Sequence, residues 1–101
     1  MGEFATVAQK KDLEPGHGKV VEVKGKTIAL FNVGGIFYAL NNTCLHMGGP
    51  IGEGYLEGNV VTCPWHGWQY NVESGVMEFD RDQKLQTYEV KVDGEEVKIG
   101  I

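Results

Sequence analysis

The chain has 101 residues, with 9 Lys and Arg against 14 Asp and Glu for a formal charge of -5, and with 15 Gly, 3 Pro and 2 Cys. A chain of this length buries roughly two-thirds of its unfolded surface, enough for one sandwich or barrel core, which excludes large oxygenases, synthetases and two-domain reductases. The acidic balance argues against nucleic acid or an anionic membrane surface as partner and favours a basic protein surface.

At the N-terminus, the first dozen residues, MGEFATVAQKKD, lack the apolar run of a secretory signal. No later stretch approaches the roughly 20 apolar residues of a membrane span. Both features point to a cytoplasmic protein. Further along, Gly-containing punctuation recurs and the segments between read with a period of two, which predicts an all-β fold. Strands are expected near Phe4 to Gln9, Lys19 to Lys24 and Thr27 to Val33, the second and third joined around Gly25. Lys10 to Gly18 reads as a solvated connection with room for a turn of helix. A tight turn at Gly34-Gly35 leads into a strand from Ile36 to Asn41. Short strands follow at Tyr55 to Glu57, at Val60 to Cys63 after a turn at Gly58-Asn59, and at Tyr70 to Val72. The final hairpin puts Gln86, Tyr88, Val90 and Val92 on one face of its first strand and turns at Asp93-Gly94. Val97, Ile99 and Ile101 line one face of its second strand. With no repeat and no linker, residues 1–101 read as a single domain.

Two stretches, 43–54 and 63–70, interrupt the strands with Gly, Pro, His and Cys together, where binding loops on a rigid scaffold belong. Cys44-Leu45-His46 and Cys63-Pro64-Trp65-His66 give each loop one Cys and one His. Three chemistries compete for them. A zinc site would staple the loops, making the chain a structural interaction module, but zinc fingers commonly group like ligands as C-x2-4-C and H-x3-5-H. A Cys44 to Cys63 thiol pair leaves His46 and His66 without purpose. A [2Fe-2S] cluster, with one iron held by thiolates and the other by imidazoles, uses all four residues.

The segments CLHMGGPIGEG and TCPWHGWQYNVESG, with a hairpin between them, resemble the two cluster loops of the Rieske ferredoxins, C-x-H and C-P-x-H-G. The resemblance runs from Ala39 to Gly75. It implies an antiparallel base carrying a small cluster-binding subdomain, and one [2Fe-2S] cluster per chain. Cys44 and Cys63 would bind its inner iron, and His46 and His66 its outer iron. Two ferric ions, two sulfides and two thiolates then sum to zero when oxidised and to minus one when reduced, so the potential lies above that of an all-thiolate centre. The respiratory subclass carries a disulfide between the loops at positions held here by Gly49 and Trp65. It also has a serine hydroxyl on a bridging sulfide where this chain has Trp68. Both departures point to the low end of the range, nearer about -150 than +300 mV.

By the same resemblance Tyr70 stands where a hydroxyl bonds a cysteine sulfur, as against an ordinary strand tyrosine. Met47, Trp65 and Trp68 have the bulk to pack over the cluster and exclude water, the alternative being satellite core packing. The segment from Val76 to Lys84 lacks the proline of the family's covering loop. The chain would be an electron carrier and not itself an enzyme. It would pass electrons from an NADH-dependent flavin reductase to a terminal Rieske oxygenase. By charge, Glu53, Glu57, Glu73 and Glu78 are either steering groups for basic partners or solvated surface charges without such a role. A similar small subunit of assimilatory nitrite reductases is the alternative within electron transfer. His17, between Gly16 and Gly18, reads as a solvated turn residue.

Overall fold

The computed structural model describes residues 3–43, 48–65 and 67–100. Its strands, in chain order, are β1 (Phe4–Gln9), β2 (His17–Val23), β3 (Lys26–Val33), β4 (Ile36–Asn41), β5 (Tyr55–Glu57), β6 (Val60–Thr62), β7 (Gln69–Asn71), β8 (Thr87–Tyr88), β9 (Val90–Asp93) and β10 (Glu96–Gly100). Short 3-10 turns lie at Lys10–Asp12 and Ile51–Glu53. Among the described residues no helix is long and apolar enough to cross a membrane. The all-β expectation holds.

Hairpins build the sheets locally. Lys24 and Gly25 adopt φ of 50° and 80°, and Gly34 and Gly35 adopt 60° and 99°. Each pair forms a two-residue turn of the left-handed kind that matches strand twist, so β2, β3 and β4 run antiparallel in unbroken register, with Val23 opposite Lys26 and Val33 opposite Ile36. The sheet orders are β1-β10-β9, β2-β3-β4-β8 and β5-β6-β7.

The four-stranded sheet is covered on both faces. Ile28 and Leu30 of β3 join Val21, Val23, Val97 and Ile99 in one core, whereas Ala29 and Phe31 join Val61, Cys63, Tyr70 and Val72 in another. Every residue from Ile28 to Asn32 is therefore buried. A strand buried on both sides has no reason to alternate, which explains the apolar run Ile28-Ala29-Leu30-Phe31 in a chain otherwise patterned with a period of two.

One expectation is corrected. The single strand predicted from Gln86 to Val92 is broken at Glu89. Its first part, β8, pairs with β4 through Ala39 and Leu40, while β9 pairs with β10. The chain passes from the central sheet to the outer one at this point, and the Gly100 N-H donates to the Glu89 carbonyl across the break at 2.9 Å. Tyr88 and Val90 still pack on the shared core, but Gln86 is exposed and Val92 is 41% exposed. Ile101 lies outside the described residues. The other strand ends shift by one or two residues: β2 begins at His17, β6 stops at Thr62 and β7 spans Gln69–Asn71.

Candidate metal centre

Both loops singled out in the sequence hang from the β5-β6-β7 sheet and its junction with β4. The first is bracketed by an antiparallel bridge between Thr43 and Pro50. Its exit is anchored by Asn42, 8% exposed. The Asn42 carbonyl accepts the Ile51 N-H at 2.8 Å and its side-chain Oδ1 accepts the Gly52 N-H at 2.7 Å, while its own N-H donates to the Thr27 carbonyl at 3.1 Å. Gly52 sits flush on β2: a Cβ there would lie 2.7 Å from Val20 Cγ2 and 2.9 Å from the Lys19 carbonyl oxygen. The backbone can approach β2 that closely because position 52 has no side chain.

The second loop is closed by its own backbone, the Cys63 N-H donating to the Trp68 carbonyl at 2.7 Å. Pro64 and Trp65 make the turn. Gly67 carries a φ of 75°, which a side chain rarely tolerates, with open space around its Cα. Cys63 itself is 2% exposed and belongs to the core beneath.

The loops meet at Gly49, which is buried. A Cβ at this position would lie 2.8 Å from Cys63 Sγ and 3.0 Å and 3.1 Å from Trp65 Cγ and Cδ2. Gly49 and Trp65, the two positions matched with a disulfide in the respiratory subclass, are thus in contact. Of the four predicted ligands, Cys63 is placed, at this junction; Cys44, His46 and His66 lie outside the described residues, as does Met47. Trp65 is 49% exposed over Gly49, while Trp68 is half-buried against the core. Tyr70 is fully buried in the same core as Cys63. His17 is exposed at the start of β2.

The segment without a proline is nevertheless fastened. Met77 bridges Tyr70 and is buried, and its N-H donates to the Gln83 carbonyl at 3.0 Å. The Glu78 N-H donates to the Gln69 carbonyl at 2.9 Å, which continues the β5-β6-β7 ladder outward. Phe79 beyond it is 71% exposed. Sequence reasoning found both loops through their ligand motifs but missed Asn42, because an Asn-Asn pair after a strand reads as an ordinary turn.

A soft thiolate donor buried beside glycine backbone fits an iron-sulfur group. Sulfide ions need thiolate-bound iron and N-H groups close by, and a side chain at 49 would stand 2.8 Å from Cys63 Sγ, in their way.

Residues 3–89 match the family described as the Rieske [2Fe-2S] domain. Apoptosis-inducing factor 3 of Mus musculus is 38% identical over 96 residues, which cover 94% of this chain; the chain spans 16% of that relative's length. The ferredoxin component of the naphthalene 1,2-dioxygenase system of Pseudomonas aeruginosa is 37% identical over 82 residues, 80% of this chain and 79% of that protein. A solved structure of the complex of reduced oxygenase and oxidised ferredoxin in carbazole 1,9a-dioxygenase superimposes with a TM-score of 0.87 at 34% identity, covering 95% of this chain and 91% of that one.

Proposed function

The chain belongs to the Rieske [2Fe-2S] domain family, and from that premise we propose that it is a one-electron carrier, taking electrons from an NADH-dependent flavin reductase and delivering them to a terminal oxygenase. Relatives that match most of their own length are ferredoxin components, carriers that work beside the enzyme that oxidises the substrate. When bound, the [2Fe-2S] cluster supplies reversible one-electron chemistry. Cys44, His46, Cys63 and His66 would hold it, Cys and His alternating between the two loops.

The observation that carries this reading is the junction itself: a buried Cys63 sulfur, with bare Gly49 beside it, where the two loops meet. The protein's part is to hold donors and exclude water. The core behind Cys63, with Tyr70, Val61 and Met77, fixes the thiol's position. Pro64, Trp65 and Gly67 keep the second loop at the surface, where all three are exposed. A partner would need to reach only that tip, so a small contact of the kind used in transient electron transfer suffices. The net charge of -5 favours a basic partner surface.

The test is reduction of the purified protein by NADH through a flavin reductase, followed by reoxidation with a terminal oxygenase. Uptake of one electron per chain, with a mixed-valence diiron signal in electron paramagnetic resonance, is expected. Iron-free protein, or a reduced sample without that signal, would remove the proposal.

A further inference from the structure

Gly49 is a glycine for a reason other than backbone freedom. It is absent from the residues with positive φ, so its conformation is open to any side chain. What it lacks is space: an added Cβ would sit 2.8 Å from Cys63 Sγ and within 3.1 Å of two indole atoms of Trp65. Such separations are well inside van der Waals contact, so the Trp65 ring and the Cys63 sulfur both close on the face of Gly49 where a side chain would stand.

The indole, 49% exposed, and the sulfur, whose residue is 2% exposed, therefore both border the space that a side chain at buried Gly49 would fill, with the indole the more exposed of the two. Ring and sulfur both belong to the second loop and Gly49 to the first. An aromatic ring is well suited to this place, because it covers a large area at the cost of only two side-chain torsions.

We propose that Trp65, packed on Gly49, is the clasp that holds the first loop against Cys63 and keeps water from the cysteine sulfur. It is a positioning residue, acting through Gly49 and Cys63 beside it. The proposal rests on the electron-carrier reading, since it concerns retention and potential of the cluster that reading requires. With the clasp open, water reaches the site and favours the state of greater charge. That is the reduced one, at minus one, so the potential rises.

The two contact atoms named, Cγ and Cδ2, have counterparts in phenylalanine, which makes Trp65→Phe the conservative variant and Trp65→Ala the disruptive one. The experiment follows visible absorbance of the cluster-loaded protein under an excess of a ferrous chelator, with redox titration of the same samples. Trp65→Ala is expected to lose colour on the order of tenfold faster than wild type and to titrate at a higher potential. Trp65→Phe should stay within about threefold and keep the potential. Gly49→Ala should also lose colour faster, because it wedges the ring outward. Adding Trp65→Ala to it should cost less than the product of the two single effects, since the conflict with the ring is then gone.

A role confined to packing would lower the thermal midpoint of Trp65→Ala and leave its potential in place, which overturns the clasp. So would equal colour loss in the Ala and Phe variants, or multiplicative effects in the double variant. Should Trp65→Ala take up no cluster while Trp65→Phe takes it up normally, the loss is carried to its limit and the proposal stands; failure of both overturns it. A colourless wild-type protein would overturn the electron-carrier reading, whereas a coloured wild type beside an indifferent Trp65→Ala overturns the clasp alone.

Discussion

Asn42 does more for the site than its plain appearance in the sequence suggests. Its amide oxygen takes the Gly52 N-H, its carbonyl takes the Ile51 N-H, and its own N-H reaches Thr27 on β3. One residue thus fixes where the first loop leaves the sheet. Replacement by Ala removes the acceptor of a buried N-H without supplying another, a defect that costs about 1 to 3 kcal/mol. Asn42→Ala is expected to lower the urea midpoint accordingly, with an unchanged slope; a loss below about 0.5 kcal/mol would mean that water replaces the amide. Legibility differed sharply among residues. Cys44, His46, Cys63 and His66 stood out because their type and spacing are scarce outside metal sites. The reason for Gly49 was hidden, because a glycine selected for lack of space looks identical in sequence to one selected for its φ. Its crowding comes from Cys63 and Trp65, more than a dozen positions away.

β3 carries the architecture at the scale of elements. Its residues point alternately into two cores, Ile28 and Leu30 toward the outer sheet and Ala29 and Phe31 toward the sheet that bears the loops. The existence of this strand was plain from its β-branched and aromatic run between turns, but not its double coverage, since a short apolar run does not say what lies on each side. The break at Glu89 was invisible for a related reason. Alternation continues smoothly through Tyr88 and Val90, both of which pack on the same core although they belong to different sheets. Pattern reports which face is buried, not which neighbour supplies the hydrogen bonds. The consequence for stability is specific. Leu30 is completely buried, so Leu30→Ala should cost about 2 to 5 kcal/mol of unfolding free energy. Phe79, a larger apolar residue, is 71% exposed, and Phe79→Ser should stay within about 0.5 kcal/mol of wild type. Chemical denaturation of the two variants side by side checks the pair, and comparable losses would contradict the placement of Phe79.

For the molecule as a whole, the division into two cores separates holding the fold from holding the cofactor. The core shared by β1, β2, β3, β4, β9 and β10 is built from Ala8, Val21, Val23, Ile28, Leu30, Val97 and Ile99 among others, and Cys63, the proposed ligand among the described residues, is not part of it. The other core contains Cys63 and supports both loops through Val61, Tyr70 and Ile51. The β5-β6-β7 sheet beside it consists of three strands of three residues each, too few hydrogen bonds and too little apolar area to stand without support. A metal centre that ties two loops together contributes its binding free energy to whatever structure those loops complete. Its removal should therefore be felt locally. Extraction of iron from the loaded protein with a chelator is expected to strip hydrogen-exchange protection from β5, β6 and β7 and from the loop amides of Ile51, Gly52 and Cys63. Protection in β9 and β10 should persist, because their strand partners and apolar contacts lie in the other core. Exchange mapped by mass spectrometry before and after extraction reads both regions at once. Loss spread evenly over all strands would show that the two cores unfold as one unit, and that the outer sheet depends on the metal centre as much as the loops do.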